Sequence, residues 1–284
     1  MSYINDIIKD KMEYLRNNYV DASLFEVKML VAEVLGIDVG NLRFYDKSLN
    51  KEQLNKLDKY IDLRKNFCPV DKIIGKKSFY KLDFEVNIDV LSPRYDTEIL
   101  IEEAVKLFDL SEKIDILELG TGSGCIVISL LNEYKRAYAV GIDISEKALS
   151  ITKKNAINNI VDNRLDLLNV SWFDEDIQTK INKKFDIIIS NPPYIPSSEI
   201  PLLDDEVRNF DPLIALDGGK DGLRDYRRIC DIAGELLKNG GYLIFEAGIN
   251  QADAIVKIGK EKSLKPVKIS CDLNDVERCV ILKK

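Results

Sequence analysis

Through about the first 70 residues apolar side chains recur at three- and four-residue steps, the spacing of amphipathic helices. Ile4, Ile7, Ile8, Met12 and Leu15 form one such stripe. A second helix is expected over 22–35, with Asp21 as its cap and Gly36 as its stop. A third begins near Asn50, carries Leu54, Leu57, Ile61 and Leu63 on one face, and should end before Pro69. Three short helices of this kind predict a small bundle that is no part of a sheet.

Over 79–90 the pattern shifts toward period two, through Phe79, Leu82, Phe84, Val86 and Ile88, which predicts a hairpin linking two domains. Leu91-Ser92-Pro93-Arg94-Tyr95-Asp96-Thr97-Glu98 then leads into a helix running to about residue 108, capped by Asp96 or Thr97. Beyond residue 114, apolar strand candidates at 114–119, 137–142, 164–168, 185–190, 241–246, 264–270 and 278–282 alternate with helical segments near 124–133, 145–158, 221–238 and 250–261. Alternation with short links predicts an α/β fold with a mostly parallel, doubly wound sheet, which binds ligands at the carboxyl ends of its strands. The expected division is a helical domain over 1–72, a hairpin linker over 73–95 and the α/β domain over 96–284.

Composition narrows the chemistry. The chain has 284 residues and no apolar run long enough to span a bilayer, and Met1 to Asp6 lack the pattern of a secretory leader. A cytoplasmic, monomeric protein is expected. With 41 Lys plus Arg against 48 Asp plus Glu, the net charge of -7 argues against a phosphate backbone as the main ligand, although a local basic patch is compatible with it. The five cysteines are scattered with no Cys-x-x-Cys pair, so they read as reduced and mostly buried, and no metal site is expected. The chain contains no histidine. Every Ser-His or Cys-His nucleophilic device is thereby excluded, and any chemistry must work through positioning, carboxylates, amides or a cofactor.

The strand at 114–119 runs directly into Gly120-Thr121-Gly122-Ser123-Gly124, and a helix opens near Cys125. Glycines permit a tight turn and close approach of a ligand, and a helix N-terminus offers free N–H groups. A dinucleotide fingerprint needs glycine where Cys125 stands. Asp143 follows about 20 residues on, at the end of the next strand, where an acid can hydrogen-bond ribose hydroxyls. The loop and the acid together fit a nucleoside such as S-adenosylmethionine; the plainer alternatives are a tight turn in an α/β fold and an Asp143 that caps the helix at Ser145.

The run Phe185-Asp186-Ile187-Ile188-Ile189-Ser190 enters Asn191-Pro192-Pro193-Tyr194. The prolines stiffen the loop and lack N–H donors. The Asn191 side-chain oxygen and the Pro192 carbonyl are acceptors, and Tyr194 offers a flat face. Two acceptors and an aromatic plate suit a planar group bearing NH₂, either a carboxamide or an amino base. Such a nitrogen is a poor nucleophile, and acceptors on both N–H bonds would stabilise the charge that develops as it is alkylated. The plainer alternative is a rigid turn after a strand.

These motifs resemble the HemK-type protein-(glutamine-N5) methyltransferases, and the resemblance covers nearly the whole chain. Leu91 to Glu98 resembles that family's Pro-Arg-x-Asp-Thr-Glu segment; Ala215-Leu216-Asp217-Gly218-Gly219-Lys220-Asp221-Gly222-Leu223 resembles its segment after the catalytic loop; Asp272-Leu273 and Arg278 also fit. Glu118 stands where Asp is usual, Asp211-Pro212 where Glu-Pro is usual, Ala247 where a larger apolar residue is usual, and 70–75 lacks a frequent Tyr. The resemblance implies a seven-stranded Rossmann-like methyltransferase domain with a helical substrate-recognition domain before it. It further implies that Gly120, Thr121, Gly122, Ser123, Gly124, Asp143, Trp172 and Asn191 contact S-adenosylmethionine. Asn191, Pro192, Pro193 and Tyr194 would hold the substrate amide, the glutamine of the Gly-Gly-Gln motif in class-1 peptide chain release factors. Arg94 could equally be a surface ion pair, Trp172 a core residue and Glu246 a structural strand end. The competing functions are an amino-base methyltransferase on DNA or RNA, which shares the Asn-Pro-Pro-Tyr device, and a cofactor-binding sensor.

Overall fold

In the computed structural model, which describes residues 4–284, the chain forms two units. One holds the residues up to Lys76 together with Asp204–Phe210; the other holds Lys77–Leu203 and Asp211–Lys284. Residues 1–3, part of the N-terminal segment read above, lie outside the described residues.

The N-terminal unit contains α1 (Ile4–Asn17), α2 (Leu24–Leu35), α3 (Lys51–Lys65) and α4 (Val70–Ile74). Ser23, not Asp21, starts α2: its hydroxyl accepts from Glu26 N–H at 3.2 Å and the Glu26 carboxylate accepts from Ser23 N–H at 2.6 Å. That reciprocal pair satisfies two otherwise orphaned donors, which Asp21 is two residues too early to do. Asn50 and Gln53 build the same box at the start of α3. Gly36 ends α2 in the left-handed conformation, as expected. Ile7, Leu15, Leu30, Leu57 and Ile61 meet in the core. Leu63, expected on the same face, is exposed, because it lies about 200° round the helix from Ile61. Arg64 is buried beneath, its guanidinium bonded to Glu26 at 3.2 Å and to Glu206 at 2.5 Å.

The second unit opens with a hairpin of β1 (Lys76–Phe79) and β2 (Leu82–Glu85), then α5 (Glu98–Ala104). The helix expected to reach residue 108 stops at Ala104, and neither Asp96 nor Thr97 caps it: Thr97 already has helical angles and makes no side-chain cap bond. The chain continues through β3 (Asp115–Leu119), α6 (Cys125–Glu133), β4 (Tyr138–Asp143), α7 (Glu146–Asn158), β5 (Leu165–Asn169), α8 (Ile177–Ile181) and β6 (Phe185–Ser190). It then gives α9 (Asp205–Phe210) to the N-terminal unit and returns through α10 (Arg224–Leu236), β7 (Leu237–Glu246), α11 (Ala252–Glu261), β8 (Lys265–Cys271) and β9 (Glu277–Lys283).

Seven strands pair in the order β5-β4-β3-β6-β7-β9-β8, parallel except for β9. The continuous apolar runs of β3 and β6 follow from burial on both faces. Ile116, Ile187 and Ile189 pack on one face; Leu117, Leu119 and Ile188 pack on the other. Sequence order reverses between β3 and β6, where the strand ends open a crevice. Buried Asn155 on α7 ties the hairpin to this edge, pairing with Glu85 N–H and C=O at 2.7 and 3.0 Å and donating to the Ser123 carbonyl at 2.9 Å.

Candidate active site

At the end of β3 the chain turns through Gly120, Gly122 and Gly124 at φ of +79°, +54° and +80°, angles that an L side chain adopts only with strain. Gly120 and Thr121 N–H both donate to the Ile142 carbonyl at 2.9 and 3.1 Å, Gly122 N–H to Asp143 Oδ2 at 2.9 Å, and Gly124 N–H to the Thr121 carbonyl at 2.7 Å. Three of these four bonds hold the loop to β4, and the fourth closes the loop on itself. Val127 N–H in the first turn of α6 donates to the buried Glu118 carboxyl at 3.3 Å.

The electrostatics follow. Burial pushes Glu118 well above the ordinary carboxylate range, Val127 N–H opposes this, and the negative charge of Asp143 adds to it. Burial also raises Asp143, against the N–H groups of Ser145 and Gly122 that its carboxyl accepts. The helix after Asp143 is capped by Ser145, whose hydroxyl accepts from Ala148 N–H at 3.2 Å. Each Asp143 oxygen accepts one backbone N–H, which leaves a second lone pair on each for a ligand hydroxyl.

One cleft gathers most of the expected residues: Gly120, Thr121, Gly122, Ser123, Asp143, Trp172, Asn191 and Pro193 all line it. Gly124, Pro192 and Tyr194 are not among the lining residues. Gly124 instead caps α6, where a Cβ would meet Thr152 and Ile128 within 2.8 Å. Sequence reasoning missed Glu118, Ile144, Thr97 and Ile214 as lining residues. Ile144 and Ile214 are more than half exposed, and an exposed isoleucine carries no signal until the fold places it beside a cleft. Arg94 is the basic lining residue; it pairs with buried Asp211 at 2.9 Å, joining the Pro-Arg and Asp-Pro segments.

The Trp172 ring lies over the loop, 3.3 Å from where a Gly120 Cβ would sit, and its Nε1–H donates to Asp225 Oδ1 at 3.0 Å. Across the cleft, the Ser190 hydroxyl donates to the Leu119 carbonyl at 2.7 Å and fastens the end of β6 to that of β3. Pro192 and Pro193 are buried. Ile195 N–H donates to the Leu216 carbonyl at 3.0 Å, Gly218 N–H to the Ile195 carbonyl at 2.9 Å, and Gln251 Nε2–H to the Tyr194 carbonyl at 2.9 Å. A Cβ on Gly218 would stand 2.6 Å from the Pro193 carbonyl oxygen, so only glycine fits this cradle.

Ser92 Oγ, Thr121 Oγ1 and Asn191 Oδ1 are buried atoms without hydrogen-bond partners, and all three residues line this cleft. Buried polar atoms are rarely left unpaired, and in a cleft a ligand or ordered water completes them. The Asp143 carboxyl at the end of β4 makes the cleft a poor site for phosphates and favourable to a ligand that bears hydroxyls. That donor and charge set fits the sulfonium, ammonium and ribose groups of S-adenosylmethionine. Behind the loop, Glu246 ends β7; burial pushes its carboxyl up to about 7, partly offset by the Thr97 hydroxyl, Arg278 and the Asn191 amide. Burial lifts Tyr194 to about 12, with the Glu246 charge adding to it. Among the described residues, no group of acids and cysteines could hold a metal ion, and no helix is long and apolar enough to cross a membrane.

Comparison with known proteins agrees with this architecture. The family described as Methyltransferase small domain matches residues 95–201, and the family described as PrmC N-terminal domain matches residues 6–75. The release factor glutamine methyltransferase of Fusobacterium nucleatum is 37% identical over 283 residues, covering 98% of this chain and 78% of that protein. The enzyme of the same name from Geobacter sulfurreducens is 35% identical over 268 residues, covering 94% and 92%. The crystal structure of a methyltransferase from Pyrococcus furiosus shares the fold, with a TM-score of 0.52 and 17% identity over 83% of this chain and 99% of that one. Since the likeness to named enzymes runs through the helical unit as well as the sheet that carries the cleft, this chain belongs to the release factor glutamine methyltransferase family.

Proposed function

We propose that this enzyme transfers a methyl group from S-adenosylmethionine to the side-chain amide nitrogen of the glutamine in the Gly-Gly-Gln motif of class-1 peptide chain release factors. The observation that carries this reading is Asn191 Oδ1, a buried acceptor without a partner in a cleft wall, one strand from the glycine loop. Gly120, Thr121, Gly122, Ser123, Asp143 and Trp172 hold the cofactor, with the Asp143 carboxylate accepting from ribose hydroxyls. Bound there, S-adenosylmethionine supplies an electrophilic methyl carbon on a sulfonium sulfur.

Asn191 Oδ1 and the Pro192 carbonyl accept the two N–H bonds of the substrate amide. Held this way, the nitrogen turns its lone pair out of conjugation, and both acceptors stabilise its developing positive charge. The buried prolines and the Gly218 cradle keep these acceptors fixed, so no reorganisation is needed during transfer. One of the gripped protons then leaves to water. Tyr194 stays a neutral phenol at physiological pH and contributes its face. The N-terminal helical unit takes part in recognising the release factor, and the protein works beside the translation machinery in the cytoplasm.

The test is mass spectrometry of a release factor incubated with this protein and labelled cofactor. One methyl group on the Gly-Gly-Gln glutamine is expected. Label appearing instead on an adenine-containing DNA or RNA, with none on the release factor, would overturn the assignment.

A further inference from the structure

The proposed reaction leaves one buried ionisable group beside the amide pocket unexplained. Glu246 is 2% exposed, and its Oε2 has no hydrogen-bond partner. β6 and β7 run parallel with Ser190 opposite Phe245, so Asn191 and Glu246 are the next pair along the same two strands. Side chains alternate along a strand, so both project from the face that carries Ile189 and Ile244. The Asn191 amide accordingly lies against the Glu246 carboxyl and helps to offset the penalty of its burial.

An ionised carboxylate can only accept, whereas an asparagine amide has a nitrogen that only donates and an oxygen that only accepts. Facing Glu246, Asn191 must therefore turn Nδ2 inward and Oδ1 outward. Oδ1 is indeed the atom left without a partner, on a residue that lines the cleft.

We propose that Glu246 is a positioning residue for methyl transfer: its carboxylate fixes the flip of the Asn191 amide and presents Oδ1 to the substrate nitrogen. This rests on the reading of Asn191 as the substrate acceptor. The negative charge also polarises the Asn191 amide, strengthening Oδ1 as an acceptor when the substrate nitrogen becomes positive. Protonation of Glu246 removes both effects, since a carboxylic acid can donate to Oδ1 and draw it inward.

The ionisable groups around Glu246 are Asp96, Arg278 and Cys279, Tyr194, Tyr226 on α10 and Cys125 on α6. Burial raises both thiols and both phenols, which keeps them neutral across the range where Glu246 titrates.

Two measurements decide the matter. In the ¹⁵N-labelled full-length protein without cofactor, the Asn191 side-chain NH₂ resonance, assigned by its loss in Asn191→Ala, should shift with a midpoint near neutral pH. A resonance flat between about pH 5.5 and about pH 8.5 would overturn the proposal. In steady-state transfer to a release factor, Glu246→Gln should lower kcat roughly tenfold or more, as loss of an orienting partner does. KM and cofactor affinity should stay within about twofold. The parent's kcat should rise through neutral pH, the variant should lose that rise, and Glu246→Asp should recover part of the rate. Unchanged kcat with an unchanged pH profile would sink the idea, as would a further multiplicative loss when Glu246→Gln is added to Asn191→Ala. Should the unmutated enzyme place no methyl group on the release factor, the functional reading falls, while the resonance of Asn191 still judges Glu246 independently.

Discussion

The loops after β3 and β6 leave the same edge of one sheet, yet they are held in opposite ways. The glycine loop after β3 is flexible by composition and becomes rigid by spending its own N–H groups on β4 and Asp143. The Asn-Pro-Pro-Tyr loop after β6 is stiff by composition and is gripped from outside, by Leu216, Gly218 and Gln251. The first turns most of its backbone donors inward, and Asp143 and Trp172 stand beside it in the cleft wall. The second keeps an acceptor unsatisfied at Asn191 Oδ1. A binding loop can tolerate small shifts, whereas a loop that stabilises charge during reaction must not move; external bracing suits the latter.

That contrast can be broken most directly at Asn191. Asn191→Ala should lower kcat roughly 10²–10³-fold, the usual effect of deleting one preorganised polar group, with cofactor affinity by calorimetry little changed. An equal loss in cofactor affinity would erase the distinction between the loops.

The next largest effect concerns pH. The Glu246 pKa of about 7 in the fold lies above the ordinary 4.5. A raised acid favours the fold while protonated, so its contribution is full below about pH 4.5 and is lost as pH rises through about 7. The stability of Glu246→Gln minus that of the parent should therefore grow over this window, by up to roughly 3 kcal/mol. Denaturant melts at several pH values would show it, and a constant difference would remove Glu246 from the account.

Gly218→Ala sharpens the contrast. Its Cβ would stand 2.6 Å from a backbone oxygen of the braced loop, and neither partner is a flexible side chain. Overpacking of this kind costs about 1–3 kcal/mol. A fall in kcat without a fall in cofactor affinity is expected. Asp143→Ala should do the reverse: cofactor dissociation rises about tenfold, consistent with roughly 1.5 kcal/mol for a charged hydrogen bond, while kcat at saturation changes little.

Much of the fold was legible because local rules act over few residues. The periods of the apolar residues located the helices of the bundle and the strands of the sheet, and continuous runs at 114–119 and 185–190 marked the strands buried on both faces. Misplaced details came from competition that the pattern does not weigh. Ser23 displaced Asp21 as a cap because it could form a reciprocal pair with Glu26. β7 begins at Leu237, not at 241, because α10 gives way to the sheet without an intervening loop.

The sequence by itself determined the chemistry available: no histidine, a glycine turn followed by an acid, and a proline-stiffened pair of acceptors. Motif chemistry is local, so adjacency in the chain is enough to reveal it. Only the tertiary structure decided that Glu246 stands beside Asn191, that Trp172 covers Gly120, and that Glu206 crosses to Arg64 in the N-terminal unit. Those pairs are 55, 52 and 142 residues apart in the chain. Burial and unsatisfied hydrogen bonds are properties of packed neighbours, and strand pairing across the sheet, not order in the chain, chose which side chains would meet.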